Sequence, residues 1–124
     1  MKTRRGSTWL LVAALVLLPL RVVVAAETEL VMFEQDNCEW CEAWTSVIGP
    51  IYPKSSEGRR APLRRVDIHA PRPADLQNVT ATRFTPTFVL MHQGHEIGRI
   101  SGYPGEDFFW GLLDRLMQEL PPEG

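Results

Sequence analysis

Cysteine is nearly missing from this chain: 124 residues hold two, and both fall in Cys38-Glu39-Trp40-Cys41. A scaffold stapled by disulfides is thereby excluded, because one bond across a single helical turn restrains little of the unfolded chain. Long hydrophobic runs are also lacking. Trp9 to Leu20 is almost wholly apolar, but Arg21 interrupts it short of the ~20 residues that a spanning helix needs. Positive charge is scarce beyond the N-terminus. Four of the 13 Lys and Arg residues and none of the 15 acids precede Glu27, so residues 27–124 carry nine bases against 15 acids, a formal −6. Such a surface does not attract phosphate backbones, and no basic recognition element is visible, which excludes a nucleic-acid partner. Arg59-Arg60 and Arg64-Arg65 form a local basic cluster, read as solubility and strand-edge protection. Internal repeats and low-complexity tracts are absent too, which leaves one small domain at most.

What the N-terminus does have is a characteristic order. Lys2, Arg4 and Arg5 precede the apolar stretch Trp9 to Leu20, and Val24-Ala25-Ala26 supplies small residues before Glu27. This reads as a cleavable secretory signal peptide over residues 1–26, followed by a folded domain over residues 27–124. A permanent anchor is the weaker reading, and Arg4-Arg5 raises the twin-arginine route in a poor context. No cysteine stands near the cleavage site to carry a lipid.

The two thiols are placed for chemistry. Cys38 follows the strand-like run Leu30 to Phe33 and opens a helix-like stretch. In the first turn of a helix a thiol meets the positive end of the macrodipole and unpaired backbone N–H groups, which favour the thiolate. That thiolate is the attacking species in disulfide exchange. Cys41, one turn further on, is close enough to close a small disulfide. A zinc site built from this pair with His92 and His95 was weighed against the known ligand patterns. The histidine spacing is shorter than that of a finger, and both histidines flank a hairpin turn far along the chain. Neither a metal nor a cofactor is expected. His69 reads as a loop-edge residue with no partner visible in the sequence.

Hydrophobic periodicity gives the order β-α-β-α-β-β-α. Glu29 to Phe33 reads as a buried strand, with Asp36 and Asn37 as N-cap candidates for a helix beginning near Cys38. Trp40, Trp44, Val47, Ile48 and Ile51 are expected to form its apolar stripe, and Gly49-Pro50 to end it. A polar loop is expected from Lys54 to Pro62, then a strand from Leu63 to Ile68. After Pro71 and Pro73 comes a short helix, Ala74 to Val79, packing through Leu76 and Val79. Thr87 to Met91 and Glu96 to Ile100 pair as a hairpin through the Gln93-Gly94 turn. A last helix, Glu106 to Leu120, buries Phe109, Leu112, Leu113, Leu116 and Leu120. The class is α/β, a mixed sheet with helices on both faces.

That order, with a cysteine pair opening the first helix, resembles the thioredoxin superfamily. A second mark is independent of the cysteines: Phe84-Thr85-Pro86-Thr87-Phe88-Val89-Leu90 is similar to the family segment in which a cis-proline precedes the third strand. The resemblance implies that Pro86 is cis and that Thr85 offers backbone hydrogen bonds to a substrate chain beside the disulfide. Gly94 and Gly102 match the pattern as well, and the likeness covers residues 29 to 120. The chain departs from full-length thioredoxins in lacking the strand and helix that precede this core, which makes it a minimal version of the fold. Glu39-Trp40 replaces the glycine-proline usual between the cysteines, and Met32 stands where thioredoxins carry a buried acid. Glu34, Glu42 or water is left to deprotonate Cys41.

More narrowly, the leader, the small size, Asp36-Asn37-Cys38-Glu39-Trp40-Cys41 and Gly102-Tyr103-Pro104-Gly105 resemble the SoxS-type proteins. These are small periplasmic thioredoxin-like proteins encoded with bacterial sulfur-oxidation (Sox) systems. The resemblance implies a periplasmic oxidoreductase that keeps partner-protein cysteines reduced or reactivated, with electrons from a membrane thiol transporter. In the expected exchange Cys38 attacks a partner disulfide and Cys41 resolves the mixed disulfide. Glu34, Asp36, Glu39 and Glu42 oppose the Cys38 anion, and no base lies between positions 34 and 42, so a reductant is favoured over a strong oxidant. Trp40 has two readings, an apolar collar at the site or plain packing. The alternative function is a regulatory binding module that keeps the fold and uses the disulfide only as a sensor. A monomer is expected.

Overall fold

The computed structural model describes residues 6, 17–20, 26–80 and 82–123. The expected signal peptide, residues 1–26, lies outside them except for those few positions. Four strands make one sheet: β1 (Thr28–Glu34), β2 (Leu63–Asp67), β3 (Thr87–His92) and β4 (His95–Ser101), in the order β2-β1-β3-β4. β1 pairs in parallel with β2 and antiparallel with β3, and β3 pairs antiparallel with β4. The sheet is mixed, as the element order requires. Leu30 to Phe33 is buried on both sides, which explains why this central strand reads as an unbroken apolar run. Gln93 and Gly94 both take positive φ (48° and 78°), the geometry of the tight turn that joins twisted strands.

Helices α1 (Glu39–Val47) and α3 (Glu106–Gln118) pack on one face of the sheet. Between them and Leu30, Met32, Phe88, Leu90 and Ile100 sits an aromatic core. Trp44 lies 5.1 Å from Phe88 and 5.6 Å from Phe109, centroid to centroid, and is fully buried. Such tilted and edge-on pairs suit the ring quadrupoles. The other face has thinner cover. Val31, Phe33, Val66, Val89 and Met91 are capped by Leu76 and Val79 from a single 3-10 turn, Ala74–Leu76, rather than the α-helix expected there. Pro71 and Pro73 lie just before it, and the few residues from Ala74 to Val79 are too short a run to nucleate more.

Three expectations need correcting in detail. The buried stripe of α1 runs through Cys41, Trp44 and Ile48, whereas Trp40, Val47 and Ile51 are exposed. The apolar residues spread wider than the face that meets the sheet, so the stripe is rotated toward Cys41. On α3, Met117 joins Phe109 and Leu113 in the core, with Leu120 just past the helix end, and Leu112 stays 36 % exposed. The loop from Lys54 to Pro62 also holds a helix, α2 (Ser56–Arg60), capped by Ser55 Oγ accepting from Gly58 N–H at 2.9 Å. A Cβ at Gly58 would stand 1.8 Å from the Tyr52 carbonyl oxygen, so glycine alone fits this close approach. Tyr52 itself is buried, and its hydroxyl donates to Ala61 O at 2.7 Å.

Candidate active site

One end of the sheet collects the cysteine pair and the Thr85-Pro86 segment. Phe33 pairs with Thr87, so the end of β1 lies beside the start of β3. Glu34 pairs with Asp67, which brings the end of β2 there, and Thr87 pairs with Ser101, which brings the end of β4. The cysteine pair, the Thr85-Pro86 segment and Gly102 therefore share one edge of the fold. Gly102 N–H donates to Pro86 O at 2.7 Å, and the Thr85–Pro86 bond is cis. Thr85 is half-buried and Pro86 buried.

Cys38 and Cys41 form a disulfide, with their Cα atoms 5.2 Å apart. Cys38 is the N-cap of α1, the place expected of Asp36 or Asn37. Asn37 instead takes φ 58°, a left-handed conformation that asparagine tolerates better than most residues. The turn sets Cys38 in extended conformation above the helix, where its Sγ accepts from Cys41 N–H at 3.2 Å. The sulfur thus occupies the position that a serine or aspartate oxygen usually takes at a helix start. Both cysteines are nearly enclosed, Cys38 with 8 % exposure and Cys41 with 4 %. Trp40 is 59 % exposed, which removes the plain packing reading for its indole.

An open hollow of about 390 Å³ borders the pair, lined among others by Glu34, Glu42, Thr45 and Arg65. Arg65 belongs to the basic cluster Arg64-Arg65, but it does more than protect a strand edge. Its guanidinium bonds Glu34 at 2.9 Å and Thr45 Oγ1 at 2.7 Å, bracing the end of β1 against α1. It also lies 5.9 Å from the centre of the Trp44 ring. The acidic stretch around the cysteines therefore has a base beside it, delivered by β2 from outside the 34–42 segment. Behind it, Trp44 Nε1 is a buried donor without a hydrogen-bond partner among the described residues.

The structure separates His92 and His95 from the cysteines. His92 pairs with Thr28 at the opposite end of β1, and His95 begins β4 beside it. A somewhat larger hollow, about 470 Å³, lies at that far end and holds neither cysteine. His69, by contrast, has a partner that the sequence could not reveal: its Nε2 lies 2.9 Å from Gln35 Oε1. Gln35 was not singled out either. Its only signal was closeness to Cys38, three residues on.

Among solved structures the chain is similar to the periplasmic thioredoxin SoxS of Paracoccus pantotrophus in its reduced form. The two are 48 % identical, with a TM-score of 0.72, over 75 % of this chain and 98 % of that one. The chain belongs to the thioredoxin superfamily. Two more distant thioredoxins share its fold. That of Fasciola hepatica is 23 % identical with a TM-score of 0.56, over 73 % of this chain and 81 % of that one. That of Malassezia sympodialis is 21 % identical with a TM-score of 0.51, over 73 % and 75 %. No protein-family model and no curated protein matches the chain. Thioredoxin kinship and a cysteine pair at bonding distance make it a thiol–disulfide oxidoreductase acting on protein thiols.

Proposed function

We propose that the chain is an exported reductase that keeps the cysteines of a partner protein reduced or reactivated in a bacterial sulfur-oxidation system. The observation that carries the chemistry is Cys38 Sγ at the N-terminus of α1, accepting a backbone N–H while bonded to Cys41. Support for the setting comes from 48 % identity to a periplasmic SoxS thioredoxin and from the leader-like order of residues 1–26. Thr85 docks the substrate chain through backbone hydrogen bonds beside Pro86, and the exposed Trp40 forms an apolar rim.

Cys38 thiolate attacks one sulfur of the partner disulfide, and the partner's other sulfur leaves as a thiolate. Cys41, whose proton passes to Glu34, Glu42 or water in the hollow, attacks Cys38 Sγ and releases the second partner thiolate. The Cys38–Cys41 bond re-forms, so two electrons have passed from this dithiol to the partner. A membrane thiol transporter returns them. The test is insulin-disulfide reduction by the protein with dithiothreitol as electron source, alongside N-terminal sequencing of exported material. Turnover and a mature chain starting at Glu27 support the proposal; a protein that cycles no disulfide, or is never exported, overturns it.

A further inference from the structure

Gln35 ties together three segments that the sequence keeps apart. Its Nε2 donates to Thr85 Oγ1 at 2.8 Å, 50 residues away in the chain, and its Oε1 meets His69 Nε2 at 2.9 Å, 34 residues away. With the amide oriented this way, His69 Nε2 carries the hydrogen and Thr85 Oγ1 accepts. The anchor points are themselves held. His69 N–H donates to Asp67 Oδ1 at 2.8 Å, which fixes the turn after β2. On the other side, Thr87 Oγ1 donates to Phe84 O at 2.6 Å and Gly102 N–H to Pro86 O at 2.7 Å. Those bonds fix the loop within itself and against β4. Beyond the Phe33–Thr87 pairing of β1 with β3, the side chain of Thr85 adds a link from this loop to the segment that carries Cys38.

We propose that Gln35 is a positioning residue: its amide sets the spacing between Cys38 and the Thr85 edge against which a protein substrate lies, with His69 as its anchor. The inference rests on the docking role given above to Thr85. Exchange chemistry itself does not use Gln35, since the hydrogen bonds of its amide go to Thr85 and His69. A disulfide small enough to meet Cys38 alone is indifferent to the spacing, whereas a protein segment lying across both Cys38 and Thr85 needs it set in advance. Loosening the loop makes binding include the ordering of that loop, which weakens binding and leaves the chemical step intact.

The experiment compares insulin with glutathione disulfide as substrates for the wild type, Gln35→Ala, Thr85→Val and the double variant. Loss of one neutral hydrogen bond is expected to raise KM for insulin by about 3- to 10-fold. For Gln35→Ala the kcat, the reduction potential and the rate with glutathione disulfide are expected to stay unchanged. Because Gln35 acts through Thr85, the double variant is expected to be no worse than either single one. His69→Ala, a change at an exposed residue, is expected to move the insulin KM in the same direction. Equal slowing with both substrates, an unchanged insulin KM in Gln35→Ala, or additive effects in the double variant would each overturn the proposal. A wild-type protein that reduces glutathione disulfide but not insulin marks the failure of the docking role itself, and the proposal falls with it.

Discussion

The backbone N–H of Cys41 donates to Cys38 Sγ at 3.2 Å, so the first turn of α1 directs a free amide at one sulfur of the pair. When the bond is reduced, that amide and the helix dipole favour a thiolate on Cys38 over one on Cys41. Limited alkylation of the reduced protein is therefore expected to mark Cys38 first. Cys38→Ser is expected to drop insulin reduction to background, and Cys41→Ser to accumulate mixed disulfides. Preferential alkylation of Cys41 would reverse the assignment.

Trp44 fills the space between α1, the sheet and α3, with Phe88 and Phe109 against its ring. Trp44→Ala is expected to cost about 3–5 kcal/mol, the usual range for emptying an aromatic core site. Urea unfolding monitored by far-UV circular dichroism gives the value. Trp44→Phe is expected to cost less, partly because it removes a buried Nε1 donor that has no partner among the described residues.

Burial, and then the charge of Glu57, holds the Tyr52 phenol protonated well above its ordinary range. In the unfolded chain a phenol ionises near pH ~10, so above that pH the folded state binds more protons than the unfolded one. This contribution to stability is full below about pH 10 and declines as the pH rises beyond it. Tyr52→Phe is expected to flatten the alkaline decline. At neutral pH it costs about 1–3 kcal/mol by leaving the buried Ala61 carbonyl unpaired. Thermal melts from pH 7 to 11 check both effects.

The Arg64 guanidinium grips Asp75 through two hydrogen bonds, at 2.6 and 2.9 Å, and holds its carboxyl below the ordinary carboxylate range. The pair stabilises the fold above about pH 4, and its contribution fades as the pH falls through the lowered value. The Asp75 side chain is 50 % exposed, so solvent screens the pair. Asp75→Ala is expected to cost less than about 1 kcal/mol at pH 7, less still in high salt, and nothing measurable in strong acid. Melts at pH 2 and pH 7 distinguish this from a packing effect, which would persist in acid.

How much of this could be read from the sequence depended on how local each signal was. Leu30 to Phe33, Gln93-Gly94 and the α3 period are patterns within a few residues, and each became the expected element. The Cys38–Cys41 pairing is equally local. Thr85-Pro86 was legible only through likeness to a known segment, since nothing in the residues themselves announces a docking edge. Helix α2 went unseen because its five residues include a central glycine and no apolar period; it is held by Ser55 and by contact with Tyr52. Non-local partners were invisible. Nothing before folding indicates that Arg65 will reach Glu34 and Thr45, or that Gln35 will join Thr85 to His69.

The most direct test of the account is the reduction potential of the Cys38–Cys41 pair, found by equilibrating the protein with dithiol buffers of known composition. A protein reductase fed with electrons is expected to lie near thioredoxin's value, about −270 mV. A potential near about −120 mV would make the protein an oxidant and contradict the proposed role.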